Sequence, residues 1–555
     1  MTLVSEAPSQ PGKAGPGTAG PKRARWAKAP SDDATIFHRR WFTLVGLCLS
    51  LVIIVMDNTI LNVAIPTLVR DLGATNSQLQ WIVDSYTVVF AGLLLTAGSL
   101  GDRFGRKRML TIGILLFSLG SVASALQTTA SGLIATRAFM GIGGALIMPS
   151  TLSILTNVFR VPSERSKAIG IWAAFSGIGI ALGPITGGFL LRHFSWSSVF
   201  WVNLPISALA LIFGRFFIPE SKNPEEGSLD PLGALLSIVG LVALLIGIIS
   251  APESGWTSPT VLTAIGVAIV VIGSFIAWEL HNDEPMLDMR FYENRRFSAA
   301  NVAITLTFFA NFGALFLMTQ YWQLVHDYAP LSVGFRLIPY AAAMMIAAPL
   351  SSKLVARYGT KTVMVWGLAL TSSSLAVFSF LHTDSSYPRI IINMMATAAG
   401  MGLTMAPATE SIMGSLPRNK AGVGSAVNDT TRQIGGALGV AVIGSVVAAV
   451  YGSKLGDAMR GSGLGATQLA EARSGLGNAL GVAASMGAAG DRLIVAAKVA
   501  FVDGLHDAFR IAAVIVAFAA AITYRFLPGW ADDPDAVSIT VTESGEATPM
   551  THRPA

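Results

Sequence analysis

The sequence predicts an all-α membrane protein with fourteen transmembrane spans, arranged as two six-helix bundles on either side of an inserted helix pair. Three observations carry this prediction. Only 13% of the 555 residues are charged and 52% are hydrophobic, whereas soluble domains are about a quarter charged. Apolar runs of membrane-crossing length, about 20 residues, recur along the whole chain. A short charged segment also occurs twice, as SLGDRFGRKRML at 99–110 and KLVARYGTKTVM at 353–364.

The elements follow in order. Residues 1–40 are rich in Pro, Gly, Ala and Lys/Arg and read as a disordered cytoplasmic tail. Residues 41–220 form the first bundle, with spans near 42–64, 80–99, 109–127, 131–153, 167–190 and 198–218. Residues 221–296 hold the inserted pair, near 231–250 and 259–278, bordered by charged loops. Residues 297–525 form the second bundle, with spans near 297–322, 334–352, 362–381, 389–412, 424–450 and 504–525. Within it, 451–500 reads as a long external loop rich in Gly and Ala, where ATQLAEARSGLGNALGVAASM suits surface helices. Residues 526–555 read as a second disordered cytoplasmic tail.

The repeat supports this division. Leu100, Arg103, Phe104, Gly105 and Lys107 align with Leu354, Arg357, Tyr358, Gly359 and Lys361, while Ala356 replaces Asp102. Both segments join the second and third helices of a six-helix block, so a displacement of eight spans means six plus two plus six. Parallel repeats of this kind occur in some transporter folds.

Charge sets the orientation, because Lys and Arg are retained on the cytoplasmic side. They crowd into the first tail (Lys13, Lys22, Arg23, Arg25, Lys28, Arg39, Arg40) and the loop after span 2 (Arg103, Arg106, Lys107, Arg108). Both termini are therefore expected inside, with Trp81, Trp196, Trp201 and Trp256 at the outer surface. The net charge of +6 reflects this retention and does not indicate nucleic-acid binding. The single Cys48 excludes a disulfide framework or a cysteine metal cluster. No GxxxxGK[ST] phosphate loop occurs, and no nucleophile, metal cluster or cofactor loop stands out, so neither an enzyme nor a cofactor is expected.

Ionisable groups inside spans are costly, and by default they mark function. At 1.5 Å per residue, Asp57 lies about 10 Å from the outer end of span 1, Arg137 about 9 Å into span 4 and Asp84 about 6 Å into span 2. Their similar depth marks them as a proton-coupling set. Burial and a nearby guanidinium push a carboxyl's proton affinity in opposite directions, so movement of Arg137 or arrival of a cationic substrate would switch protonation. Asp57 is the first choice of proton carrier, and Asp84 an accessory acid or substrate-cation anchor. A purely structural Asp57–Arg137 ion pair is the competing reading. Asn58, Asn62, Asn311, Gln320 and Gln323 are expected to line the substrate cavity or to bond between helices.

At the cytoplasmic mouth, Gly101, Asp102, Arg103, Gly105, Arg106 and Lys107 read either as a topology determinant or as a gate, with Glu164 a candidate partner for the arginines. Glu410, at the end of span 12, and Asp429 and Arg432, at the start of span 13, read as inner-gate or structural pairing. In span 5, Gly179, Gly183 and Gly187 repeat every fourth residue beside Pro184 and Gly188, so neighbouring backbones can approach closely.

These segments carry a family likeness. GSLGDRFGRKR resembles the cytoplasmic loop motif of the major facilitator superfamily. MDNTILNVAIP at 56–66 and GIGIALGPITGGF at 177–189 look like its fourteen-span drug:proton antiporter branch. LIATRAFMGIGGALIMP at 133–149 resembles the Arg-bearing motif of proton-coupled members, and TRQIGGALGVAV at 431–442 is similar to the branch's span 13. The resemblance implies the major facilitator fold. It also implies export of amphipathic, often cationic drugs or secondary metabolites across a bacterial inner membrane in exchange for protons, by a protein expected to be monomeric. It further implies that Asp102 contacts the N-terminus of span 13 near Gly424 and Ser425. A dedicated exporter of one compound, a proton-coupled importer and a transporter-like receptor are the alternatives.

Overall fold

The computed structural model describes residues 33–222, 230–460, 464–529, 538–541 and 547–550. Its helices are α1 (Asp33–Leu72), α2 (Asn76–Phe104), α3 (Arg106–Ala125), α4 (Ala130–Val158), α5 (Pro162–His193), α6 (Ser198–Trp201), α7 (Asn203–Phe217), α8 (Pro231–Ser254) and α9 (Pro259–His281). They continue with α10 (Arg295–Gln320), α11 (Pro330–Arg336), α12 (Ile338–Tyr358), α13 (Thr360–Phe378), α14 (Tyr387–Met413), α15 (Ala421–Ala458), α16 (Ala466–Arg473), α17 (Leu476–Ser485) and α18 (Asp491–Phe526). Fourteen of the resulting segments are long and apolar enough to cross a membrane; α6 with α7, and α11 with α12, each make one of them.

Local chemistry sets the helix ends. Thr75 and Gln78 form a reciprocal capping box at the start of α2. Pro162, Pro231, Pro259 and Pro330 open α5, α8, α9 and α11, where a missing N–H costs nothing. The two copies of the repeat turn in the same way. Gly105 alone separates α2 from α3 with φ +109°, and Gly359 alone separates α12 from α13 with φ +81°. A side chain is strained in that region, which explains why glycine occupies both positions.

In the first half, α1 packs on α5 and α7, α2 on α4, and α3 on α4 and α7. In the second, α10 packs on α14 and α15, α12 on α14, and α13 on α14 and α18. The inserted α8 and α9 pair with each other, and α8 rests on α2 and α15. Across the halves, α5 meets α11 and α12, while α2 and α4 meet α15. The end of the molecule that carries Arg103–Arg108 is called the basic end below.

Three sequence expectations change. Within 451–500, α16 and α17 fall on the stretch expected to suit surface helices, but α15 and α18 run further than the spans expected at 424–450 and 504–525. The 38-residue α15 and the 36-residue α18 are about 57 and 54 Å long, well beyond a hydrocarbon core of about 30 Å. Their projecting ends are joined by α16 and α17. Leu476, Ala479, Val482 and Ala483 are buried, and the Tyr451 hydroxyl donates to the Ala472 carbonyl at 2.8 Å. Ala and Leu are strong helix formers, and the apolar face of α17 finds a surface to cover. In the C-terminal tail, read as disordered, β1 (Ser538–Val541) pairs antiparallel with β2 (Ala547–Met550). The β-branched run Ile539–Val541 suits a strand. Of the four tryptophans expected at the outer surface, Trp81, Trp201 and Trp256 are exposed, while Trp196 is buried edge-on to Phe200.

Candidate proton-coupling and gating sites

Four helices of the first half converge on one buried charge pair. Asp57 of α1 and Arg137 of α4 are each 1% exposed, and Arg137 Nη1 pairs with Asp57 Oδ2. Arg137 Nε donates to the Ile82 carbonyl of α2 at 3.2 Å, and the guanidinium lies 4.5 Å from the centre of the Tyr86 ring. Asn203 of α7 donates to Asp57 Oδ1 at 2.9 Å and to Ser121 Oγ at 3.1 Å. Both carboxylate oxygens are thus occupied and the cation is stacked, so the pair is held in place at low dielectric. Asn203 and Tyr86 were not singled out from the sequence. The signal for Asn203 was an amide carried into an apolar span.

Asp84 does not join this group. It is half-buried and lines a pocket with Gln80, Trp81 and Val88 of α2 and with Ile246, Ile249 and Ser250 of α8. Ile82 and Tyr86 face Arg137, and Asp84 stands about 200° around the helix from Ile82. Equal depth placed it at the right height on the wrong face.

The expected cavity-lining residues are dispersed. Asn58 donates to the Ile54 carbonyl of its own helix at 3.1 Å, and Asn311 accepts from the Tyr340 hydroxyl at 2.6 Å. Gln320 and Gln323 are half-buried, at the end of α10 and in the turn that follows. The side chain of Asn62 lies outside the described residues.

At the basic end, two contacts centred on carboxylates join the halves, beside a hydrogen bond from the Ser352 hydroxyl of α12 to the Ser166 carbonyl of α5 at 2.9 Å. Gly98 of α2 and Gly422 of α15 touch backbone to backbone, with no room for a Cβ on either. This approach lets the Asp102 carboxylate accept from the amides of Gly422 at 2.8 Å and Val423 at 3.1 Å. The contact falls two residues before the expected Gly424–Ser425, because only the first amides of a helix lack an internal acceptor. Arg106 donates twice to Asp102 Oδ1, at 2.9 and 2.6 Å, and once to the Arg418 carbonyl at 2.9 Å. Gly101 is buried within α2, and Arg103 stacks on Phe104 at 5.6 Å. Lys107 reaches the Ile218 carbonyl at 2.8 Å, and its amide donates to Glu220. Glu164, expected to serve these arginines, pairs with Arg40 at 3.0 Å instead.

The second contact is an ion pair at 2.7 Å between Arg165 of α5 and Glu410 of α14. Glu410 thus has its ion pair across the halves, whereas Asp429 and Arg432 pair with each other one turn apart on α15 at 3.4 Å. Arg165 was missed, and its position at the end of a span gave no cue beyond charge.

The glycine stripe of α5 packs within the first half, while its neighbours Pro184 and Gly188 face the second. Gly179, Gly183 and Gly187 press against Val55, Thr59 and Ile60 of α1, whereas Gly188 meets Leu331 and Pro184 meets Gly334, both of α11. Thr59 Oγ1 donates to the Gly179 carbonyl at 3.3 Å. Gly183→Val should therefore lower thermal stability in detergent by about 1–3 kcal/mol through overpacking and cut efflux. Gly273→Val, at a position with open space around it, should leave both unchanged.

Comparison with known proteins agrees with the geometry. The chain is 34% identical over 485 residues to the "Multidrug efflux pump LfrA" of Mycolicibacterium smegmatis, covering 87% of this chain and 95% of that protein. It is 34% identical over 407 residues to the "Multidrug resistance protein Stp" of Mycobacterium tuberculosis, covering 73% of this chain and 76% of that one. Its fold matches the crystal structure of the human organic anion transporter MFSD10 (TETRAN), with TM-score 0.60 and 13% identity over 89% of this chain and 100% of that one. Residues 47–440 match the Major Facilitator Superfamily as a whole. With fourteen membrane-length segments, a repeated one-glycine turn and an acid anchored on a facing helix, the chain belongs to the Major Facilitator Superfamily.

Proposed function

We propose that the protein is a transporter, not an enzyme, and exports amphipathic, often cationic drugs or secondary metabolites across the bacterial inner membrane in exchange for protons. It works as a monomer with both termini and the basic end in the cytoplasm. The observation that carries this reading is the Asp57–Arg137 pair, fully buried and built from four helices. The naming of relatives as multidrug efflux and resistance proteins supports the direction and the substrate class.

A proton that binds Asp57 neutralises the acid and frees Arg137 from it. Losing one partner of a buried pair costs about 3–5 kcal/mol, so protonation strongly favours a rearrangement that re-solvates the guanidinium. The two six-helix groups, 41–220 and 297–525, rock against each other, and the Asp102 and Glu410 contacts close the cytoplasmic mouth on one side of that motion. The energetics suffice. An inward proton supplies about 2.3 kcal/mol per 100 mV and about 1.4 per pH unit, whereas a hundredfold substrate gradient needs about 2.8.

Cells expressing the protein and preloaded with ethidium should lose dye faster than control cells, and a proton uncoupler should abolish the difference. Efflux that persists undiminished with the uncoupler would overturn the proposal.

A further inference from the structure

Asp429 and Arg432 form a second buried pair that neither the Asp57 site nor the two gate contacts employ. They are 1% and 3% exposed, yet loosely joined, with Arg432 Nη1 3.4 Å from Asp429 Oδ1. Among the described residues, Asp429 Oδ2 and Arg432 Nε have no hydrogen-bond partner, although buried polar atoms are normally satisfied. Arg432 Nη2 donates to Thr409 Oγ1 at 2.9 Å, and Asn428 donates to Asp429 Oδ1 at 3.3 Å. The guanidinium carbon lies 5.0 Å from the centre of the Trp172 ring and 5.4 Å from that of Phe308.

This is the chemistry of a cation site: a carboxylate whose remaining neighbour is the Ser425 hydroxyl one turn earlier, and two aromatic faces around a positive charge. Its position fits a transport pathway. Counting from the basic end, Asp429 and Arg432 lie about 12 and 17 Å along α15, and Trp172 about 15 Å along α5, halfway through a core of about 30 Å. Trp172 belongs to the first half, and Phe308, Thr409, Asp429 and Arg432 to the second. Separation of the halves therefore takes one wall of the site away.

We infer that Asp429, Trp172 and Phe308 bind a monovalent amphipathic cation, and that Arg432 is the resident charge with which that ligand competes. This deepens the export reading and rests on it for the direction of transport. An incoming ammonium or phosphonium takes the place of the guanidinium between the rings, and its charge meets Asp429. The tethered arginine keeps the acid from standing bare, limits affinity and returns as the ligand leaves.

The test is equilibrium binding of tetraphenylphosphonium to the purified full-length protein in detergent. Arg432→Gln should bind about tenfold more tightly, because the competitor is gone, and Trp172→Leu about tenfold more weakly. Trp172→Phe should restore most of the loss. Either single neutralisation strands a buried charge, so binding is compared per folded molecule, on the monodisperse fraction from size-exclusion chromatography, and Asp429→Asn/Arg432→Gln, which removes both charges, serves as the folded control; it should bind at least tenfold more weakly than Arg432→Gln. A purely structural pair would not give tighter binding on loss of the arginine. Unchanged or weaker binding by Arg432→Gln, wild-type affinity in both Trp172→Leu and the doubly neutral variant, or no binding by the wild type would overturn the site. Uncoupler-sensitive ethidium efflux with binding indifferent to these substitutions would remove the site and leave the export reading. Asp429-dependent binding without such efflux would do the reverse.

Discussion

Asp57→Asn should abolish uncoupler-sensitive efflux and also destabilise the protein, and the two effects are separable. Arg137 is 1% exposed and, among the described residues, takes its only ion pair from Asp57. An amide in place of the carboxylate leaves that guanidinium without a counter-charge, which costs on the order of 3–5 kcal/mol. The double variant Asp57→Asn/Arg137→Gln removes both charges, and replacing a whole buried pair is often neutral. Thermal unfolding in detergent should therefore fall for the single variant and recover substantially for the double. Efflux should be absent in both, because no group at this position then takes up and releases a proton. Wild-type efflux by the double variant would reduce the pair to a structural ion pair.

Opening the gate contacts should shift the resting conformation without harming expression. Asp102 accepts two amides at the N-terminus of α15, an arrangement worth about 0.3–1 kcal/mol for an exposed anion and up to about 2 when partly buried. The Arg165–Glu410 pair closes the same end from another direction. A contact made in only one conformation biases the equilibrium by its own strength. Asp102→Asn alone should slow turnover, and Asp102→Asn with Glu410→Gln should shift the population by about tenfold or more. Spin labels at Arg108→Cys and Arg357→Cys, both exposed, on a Cys48→Ala background would read the separation of the basic ends. The distance should lengthen in the double variant. An unchanged distance together with undiminished efflux would leave these residues as topology determinants only.

The number of spans, their order and the internal repeat were legible because hydropathy and charge act along the chain. The repeat identified Gly105 and Gly359 as equivalent, and the two turns share a positive φ. Depth arithmetic brought Asp57 and Arg137 together correctly, since height along a helix follows from residue count. It failed for Asp84, because height says nothing about which face a residue occupies. The Asp102 contact was expected two residues too far along α15, where the amides are already committed to the helix. Asn203, Tyr86, Gly98 and Gly422 escaped notice because their roles depend on which helices touch. A single sequence does not encode such contacts in its periodicity. In the stretch 451–500 the surface helices were legible, but its glycines hid how far α15 and α18 extend, and α16 and α17 are held by packing on those ends.

The account depends on proton exchange at Asp57 being tied to substrate binding elsewhere in the molecule. Adding tetraphenylphosphonium to purified protein in weakly buffered solution, with a pH indicator, reads this directly. Wild type should release protons as the cation binds, and Asp57→Asn/Arg137→Gln should bind the cation yet release none. Proton release of equal size from both proteins would contradict the account.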